Sequence, residues 1–390
     1  MAKEVPRNTA SDLRGAGKLA VAGVVGLTHV VENLHHNIAR ARGPLGTVER
    51  SPMRGVSGLV YRSIRGVTRV VGGGLDLALG QLAPRLAEEP SSQRREAVLA
   101  ALNGVLGDHL AATGNPLAIP MRLRRGSSAL ELTPAGLREA IPRPARRVVL
   151  MVHGLCRNDL QWRRKGHDHG AVLARAEPCA TVLYLHYNTG RAIADNGAEL
   201  AAILAALVPA WPVPLEEIAI VAHSMGGLVA RSACAQAAAA RHAWLRLLRS
   251  IVFLGTPHAG APLERGGHWV DAVLDASPYT AAFAQLGRIR SAGITDLRHG
   301  LDMPLPRGVA CHAIAGSIAR RAGEARERLL GDGLVPLDSA LGRGAGPSGA
   351  DIFPAERQSI TYATSHLGLL SSKRVCKMIG EITGVRLQLS

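Results

Sequence analysis

Ser224 sits at the centre of Ala222-His223-Ser224-Met225-Gly226, with the apolar run 218–222 before it and an Ala-rich segment after it to about Arg241. A buried strand, a sharp turn and a helix with serine at the apex lift a hydroxyl clear of a sheet. They also set it beside the free N–H groups of a helix start. That placement suits a nucleophile attacking a carbonyl carbon. The positions two before and two after the serine must be small, because strand and helix backbones pass close there. Ala222 and Gly226 meet that demand, with Ala standing where Gly is more usual. The bland alternative is a serine in an ordinary strand-to-helix loop.

A nucleophilic serine needs a base, and the chain offers 15 histidines. If the order along the chain is serine, acid, histidine, the base lies late. His366 follows a strand-like segment and precedes an apolar helix start, so it falls on a loop at a strand's carboxyl end. His312 alternates into a strand and reads as core; His258 reads as shaping the loop after the next strand. For the acid, Gly331-Asp332-Gly333-Leu334-Val335-Pro336 presents Asp332 between two glycines, with Asp338 and Asp302 as rivals and a plain turn as the alternative. His153-Gly154-Leu155 follows an earlier strand. The backbone N–H of Leu155, paired with that of Met225, is placed to bind a developing oxyanion.

Positioning these residues takes alternating strands and helices. Residues 147–152, 181–186, 218–222, 250–254, 309–315 and 359–362 read as buried strands. Helices are expected over 94–112, 191–207, the segment after Ser224, and 367–380. Such alternation implies a mostly parallel sheet covered on both faces. Residues 117–124 and 128–132, around Arg125-Gly126-Ser127, read as an antiparallel hairpin. The largely apolar segment 259–307 is an insertion, expected to form a lid or acyl-binding wall. Residues 1–90 show none of this pattern and form a separate helical extension, with helices over 19–39 and 56–82; residues 91–390 form the catalytic domain. In the second helix Val60, Ile64, Val67 and Val71 recur at helical spacing, and Arg62, Arg65 and Arg69 fall on another face. Gly72-Gly73-Gly74 lies inside that helix without a preceding strand, so it is not a phosphate loop.

Formal net charge is +16, which favours anionic surfaces, while aromatics at 3% argue against base stacking and a nucleic-acid partner. Five scattered cysteines suggest reduced thiols rather than a disulfide framework or a zinc site. The first residues make a poor signal peptide, and no apolar run is long enough to span a bilayer, the longest being 19–31. A cytoplasmic protein that meets an anionic membrane through the basic second helix, or one whose extension simply caps the catalytic domain, fits these features.

Taken together, the HGL after a strand, AHSMGG, FLGTPHAG, GDGLVP and SHLGLL resemble an α/β-hydrolase of the bacterial lipase/esterase kind, and Tyr187-Asn188-Thr189-Gly190 resembles PGAP1-like hydrolases. The resemblance covers roughly residues 116–390. It implies an α/β-hydrolase fold, Ser224 as nucleophile, His366 as base, Asp332 as orienting acid, and Leu155 and Met225 as oxyanion donors. It implies no catalytic metal or cofactor, and a lipid-like carboxylic ester as substrate. An acyltransferase with the same triad, or a non-catalytic binding protein on the same fold, are the alternatives.

Overall fold

The computed structural model describes residues 9–40, 55–82, 92–176, 180–260, 291–299, 303–323, 331–346 and 349–387. The chain divides into two compact units, one of residues 1–92 with 112–117, the other of residues 93–111 with 118–390.

The larger unit is built on short runs of Val, Ile, Leu and Ala, whose alternate side chains point to opposite faces of a sheet. On β3 (Arg147–Val152) and β5 (Glu217–His223), Val148, Leu150, Val152, Ile218 and Ile220 enter one core, and Val149, Met151, Ala219 and Val221 enter the other. Eight strands join in the order β2-β1-β4-β3-β5-β6-β7-β8. The others are β1 (Arg122–Arg125), β2 (Ser128–Ala129), β4 (Thr181–His186), β6 (Leu248–Leu254), β7 (Ala310–Gly316) and β8 (Gln358–Thr361). From β4 to β8 every pairing is parallel; β1 runs antiparallel to both β2 and β4. This is the α/β-hydrolase fold, with its parallel strands delivering their carboxyl ends to one edge.

The helices of this unit are α3 (Gln93–Ala112), α4 (Pro134–Ala140), α5 (His169–Leu173), α6 (Ile193–Ala210), α7 (Met225–Ala239), α8 (Ala292–His299), α9 (Leu337–Ala340) and α10 (Lys373–Thr383). Leu200, Leu204 and Leu207 of α6, and Leu228, Val229 and Ala233 of α7, fill the first core; Leu173 of α5 and Val375 and Ile379 of α10 fill the second. Among the described residues, α6 is the one helix long and apolar enough to cross a membrane by length and composition. The apolar-run reading passed over it because Asp195, Asn196 and Glu199 interrupt it. Its inward leucines make it a core helix. Other differences from the sequence expectation are local. The hairpin strands are shorter than 117–124 and 128–132. α4 was not foreseen. The last helix starts at Lys373 instead of 367, because a 3₁₀ turn over Gly368–Leu370 comes first and Ser372 then caps α10. The expected lid is largely outside the described residues, which hold only α8 and short flanks of it.

In the smaller unit, α1 (Thr9–Arg40) and α2 (Gly55–Leu82) run antiparallel. Arg14 Nε donates to Asp76 Oδ1 at 2.6 Å near one end, and Arg65 Nη1 pairs with Glu32 farther along. α1 begins ten residues earlier than expected, because Asp12, Arg14 and Lys18 are compatible with helix and two of them find Asp76 across the pair.

Candidate active site

Ser224 has φ 55° and ψ −128°, a backbone region that side-chain-bearing residues rarely enter, and it stands between the end of β5 and the first residue of α7. The strain is held by its surroundings. The Ser224 amide donates to Leu254 O on the neighbouring strand at 2.9 Å. A Cβ on Gly226 would fall 2.6 Å from His153 O, so only glycine lets α7 start that close to the preceding loop. This is the strand–turn–helix apex that the pentapeptide spacing requires.

Asp332 and His366 arrive from loops at the same edge of the sheet, after β7 and β8. Asp332 is held as an acceptor: its Oδ1 takes the amides of Leu334 (3.0 Å) and Val335 (2.8 Å). Its Oδ2 takes the Nδ1–H of His366 at 2.7 Å, and its carbonyl takes the His366 amide at 2.9 Å. With Nδ1 donating to the carboxylate, Nε2 of His366 keeps its lone pair free to receive a proton. The link to the serine runs through Gly255, which follows Leu254: a Cβ there would lie 3.0 Å from Asp332 Oδ2 and 3.1 Å from His366 Nδ1. All three residues are nearly buried, with Ser224 7%, His366 5% and Asp332 1% exposed. Asp338 is excluded from the role, since its half-exposed carboxylate pairs with Arg343 at 3.2 Å on the surface. Asp302 lies outside the described residues.

The loop after β3 is braced by the segment after β4. Tyr187 Oη–H donates to His153 O (2.7 Å) and Thr189 Oγ1 accepts the Cys156 amide (3.1 Å), while Asn188 Nδ2 anchors their own segment to α3 by donating to Gly107 O (2.8 Å). The Tyr187–Gly190 motif thus supports the Leu155 segment instead of touching the serine. Gly154 lies against the elbow, where a Cβ would meet Ser224 Cβ at 2.9 Å. The amide of Met225, first of α7, is one of the donors that a helix start leaves without a helical partner. Farther along, Asp159 accepts from buried Arg124 (3.2 Å) and pairs with His186 Nδ1 (2.7 Å), tying the loop to β1 and β4. His153 stacks on Tyr187, and burial lowers its pKa to about 3, so it is a neutral packing residue.

His258 packs between Phe253 and Phe353 beside Arg231, and shapes the loop after β6. His312 is half-buried on β7, short of its carboxyl end. The sequence reading missed His223. It is 1% exposed, its Nε2–H donates to His366 O at 3.2 Å, and burial first, then the neighbouring His366, holds its pKa well below the usual histidine value. A neutral ring therefore supports the His366 backbone. Its position just before the serine was the only signal available.

Residues 122–301 match DUF7379, described as a domain of unknown function. No curated protein matches the chain. Among solved structures the chain is similar to the Bacillus licheniformis lipase BlEst2, at 19% identity and TM-score 0.43, covering 62% of this chain and 93% of that one. It is also similar to the enol-lactonase of Burkholderia xenovorans, at 13% identity and TM-score 0.38 (68% and 96% covered), and to Aspergillus fumigatus lipase B, at 14% identity and TM-score 0.36 (93% and 78% covered).

Proposed function

We propose that the protein is a serine hydrolase of carboxylic esters with lipid-like acyl or alcohol parts. The observation that carries this reading is the pairing of a strained, elbow-borne Ser224 with a His366–Asp332 couple at the same edge of the sheet. Ser224 Oγ attacks the ester carbonyl while His366 Nε2 takes its proton. Asp332 holds the imidazole in the required tautomer and stabilises its cationic form. The N–H groups of Leu155 and Met225 receive the oxyanion. Collapse expels the alcohol with the proton from His366 and leaves an acyl-enzyme, which water attacks with the same base. None of these steps needs a metal or cofactor. Within the fold, the Tyr187–Gly190 loop favours a PGAP1-like kind of hydrolase.

The chain also meets its substrate at a lipid surface through the α1–α2 pair, a reading supported by the apolar stripe that α2 exposes at Val60, Ile64, Val67 and Val71. The test of the chemistry is a panel of p-nitrophenyl esters of increasing chain length, run alongside a fluorophosphonate probe. Hydrolysis with stoichiometric labelling at Ser224 supports the reading. Absence of both overturns it, and ester products formed only with an added alcohol would replace water by an alcohol acceptor.

A further inference from the structure

His167 and His169 flank Asp168 where the chain enters α5. Asp168 is engaged in capping: its Oδ1 accepts the Ala171 amide at 3.1 Å and the Tyr184 hydroxyl at 2.9 Å. The histidines are engaged elsewhere. His169 Nε2–H donates to Leu369 O at 2.8 Å, which leaves the lone pair on Nδ1. That Nδ1 lies 2.8 Å from His167 Nε2. Cys376, buried on α10, brings its sulfur to the same place, and the donor atoms of all three residues lie within 4.8 Å of one another.

We propose that His167 Nε2, His169 Nδ1 and Cys376 Sγ form a binding site for a zinc-type divalent cation, with water as the fourth ligand. The donor set, two imidazoles and a thiolate, is one zinc accepts. Tetrahedral zinc wants its donors about 3.4 Å apart. The two nitrogens, 2.8 Å apart, need to part by roughly half an ångström, and the sulfur, within 4.8 Å of both, has at most about one ångström to close, within reach of side-chain rotation. The Leu369 carbonyl on the outer nitrogen of His169 is the kind of partner that fixes a ligating histidine's tautomer. Half-buried His167 leaves an approach from solvent.

The protons balance simply. His167 moves its hydrogen from Nε2 to Nδ1, and Cys376 releases its thiol proton to solvent as the metal–sulfur bond forms. Each imidazole ligates in its neutral form, through the nitrogen that carries no hydrogen. Because the ligating form is the thiolate, the metal displaces the Cys376 proton and binding strengthens with pH. Asp168 offsets the nearby Lys373 cation. The site ties α5 and α10 to the 3₁₀ turn that follows His366 by two residues, so an ion there staples the loop carrying the proposed base. The metal site itself does not depend on the hydrolase reading.

The test is a titration of the untagged, metal-stripped full-length protein with Co²⁺, then Zn²⁺ in competition. One equivalent with a thiolate-to-cobalt charge-transfer band is expected. The band should vanish in Cys376→Ser, and affinity should fall roughly tenfold or more in His167→Gln. Zn²⁺ should raise the melting temperature of the wild type and not of the variants. The thiolate band separates this site from surface histidines. No saturable binding, saturation without that band, or an unchanged band in both variants overturns the proposal. If Cys376→Ser does not fold, His167→Gln, altered at a half-exposed ring, decides alone.

Discussion

The two units of this chain treat apolar residues in opposite ways. In the larger unit the strands bury almost every large aliphatic side chain, and the polar groups that go inside include Asp332, His366 and His223 at the candidate site and the Asp159–His186 pair that braces its loop. In the α1–α2 pair the buried groups include an ion pair, Glu32 with Arg65, while Leu27, Val60, Ile64, Val67, Val70 and Val71 are exposed. Burial of polar groups is stabilising only where they are fully paired, and exposed aliphatic surface is tolerated only where something covers it. In the first unit, the buried Asp332 and His366 are paired with each other. The second buries one charge pair, Glu32 with Arg65, and leaves a row of aliphatic side chains exposed.

The sharpest way to test that contrast is to remove the chemistry from the first unit alone. Ser224→Ala should lower kcat by roughly 10⁶-fold, and His366→Ala by about as much, with the double variant little worse, because the residues act as a unit. Circular dichroism and melting should stay near wild type, since a hydroxyl at the elbow contributes little to packing. Fluorophosphonate labelling that persists in Ser224→Ala would move the nucleophile elsewhere. Next in size, Asp332→Asn should cost roughly 10⁴-fold by favouring the wrong imidazole tautomer. Asp338→Asn, on the surface with Arg343, should cost nearly nothing, and a reversal of the two results would break the assignment.

The contrast also explains what could be read in advance. β3 and β4 were legible to the residue because short, mainly aliphatic runs leave few other structures open. Ser224, His366 and Asp332 were legible because turn chemistry marks them: small neighbours at the elbow, glycines around the aspartate. α4 was overlooked although Thr133 before Pro134 is a sound helix start, and Thr133 indeed caps it by accepting the Gly136 amide at 3.1 Å. The His167–His169–Cys376 cluster could not be read, since its cysteine comes from a helix at the far end of the chain and the pairing exists only after folding. The same holds for Arg65. As sequence it belongs to a basic face with Arg62 and Arg69; in the structure it is 7% exposed and paired with Glu32.

That pair supplies the third test. Arg65→Met takes the guanidinium from a buried carboxylate, a change that costs about 3–5 kcal/mol where such pairs have been broken. Hydrogen exchange should then show lost protection in α1 and α2, with β3, β5 and β6 unchanged. Unchanged protection in the helices would mean the ion pair is not what holds them together.

The smallest effect concerns what covers the outward stripe of α2. At about 100° per residue, Val60, Ile64, Val67 and Val71 lie on one side and Arg62, Arg65 and Arg69 on the opposite one, where Arg65 is buried against Glu32 of α1 and Arg62 and Arg69 are exposed. A basic face that meets an anionic leaflet would make binding salt-sensitive, at about 1 kcal/mol per arginine. The geometry argues for the other order. If the stripe enters a lipid surface, the cations point away from it, and burial of aliphatic groups carries the binding. Val67→Ser with Val71→Ser should then weaken vesicle partitioning by about 2 kcal/mol, roughly thirtyfold, while soluble-ester hydrolysis is untouched. Arg62→Gln with Arg69→Gln should change little, and raising salt should change little too. Sedimentation with anionic and neutral vesicles at low and high salt separates the cases. Binding lost with the arginines or with salt would restore the electrostatic view. Binding indifferent to both pairs of substitutions would remove lipid as the cover, and an accompanying concentration-dependent mass by light scattering would give the stripe to a second copy of the chain.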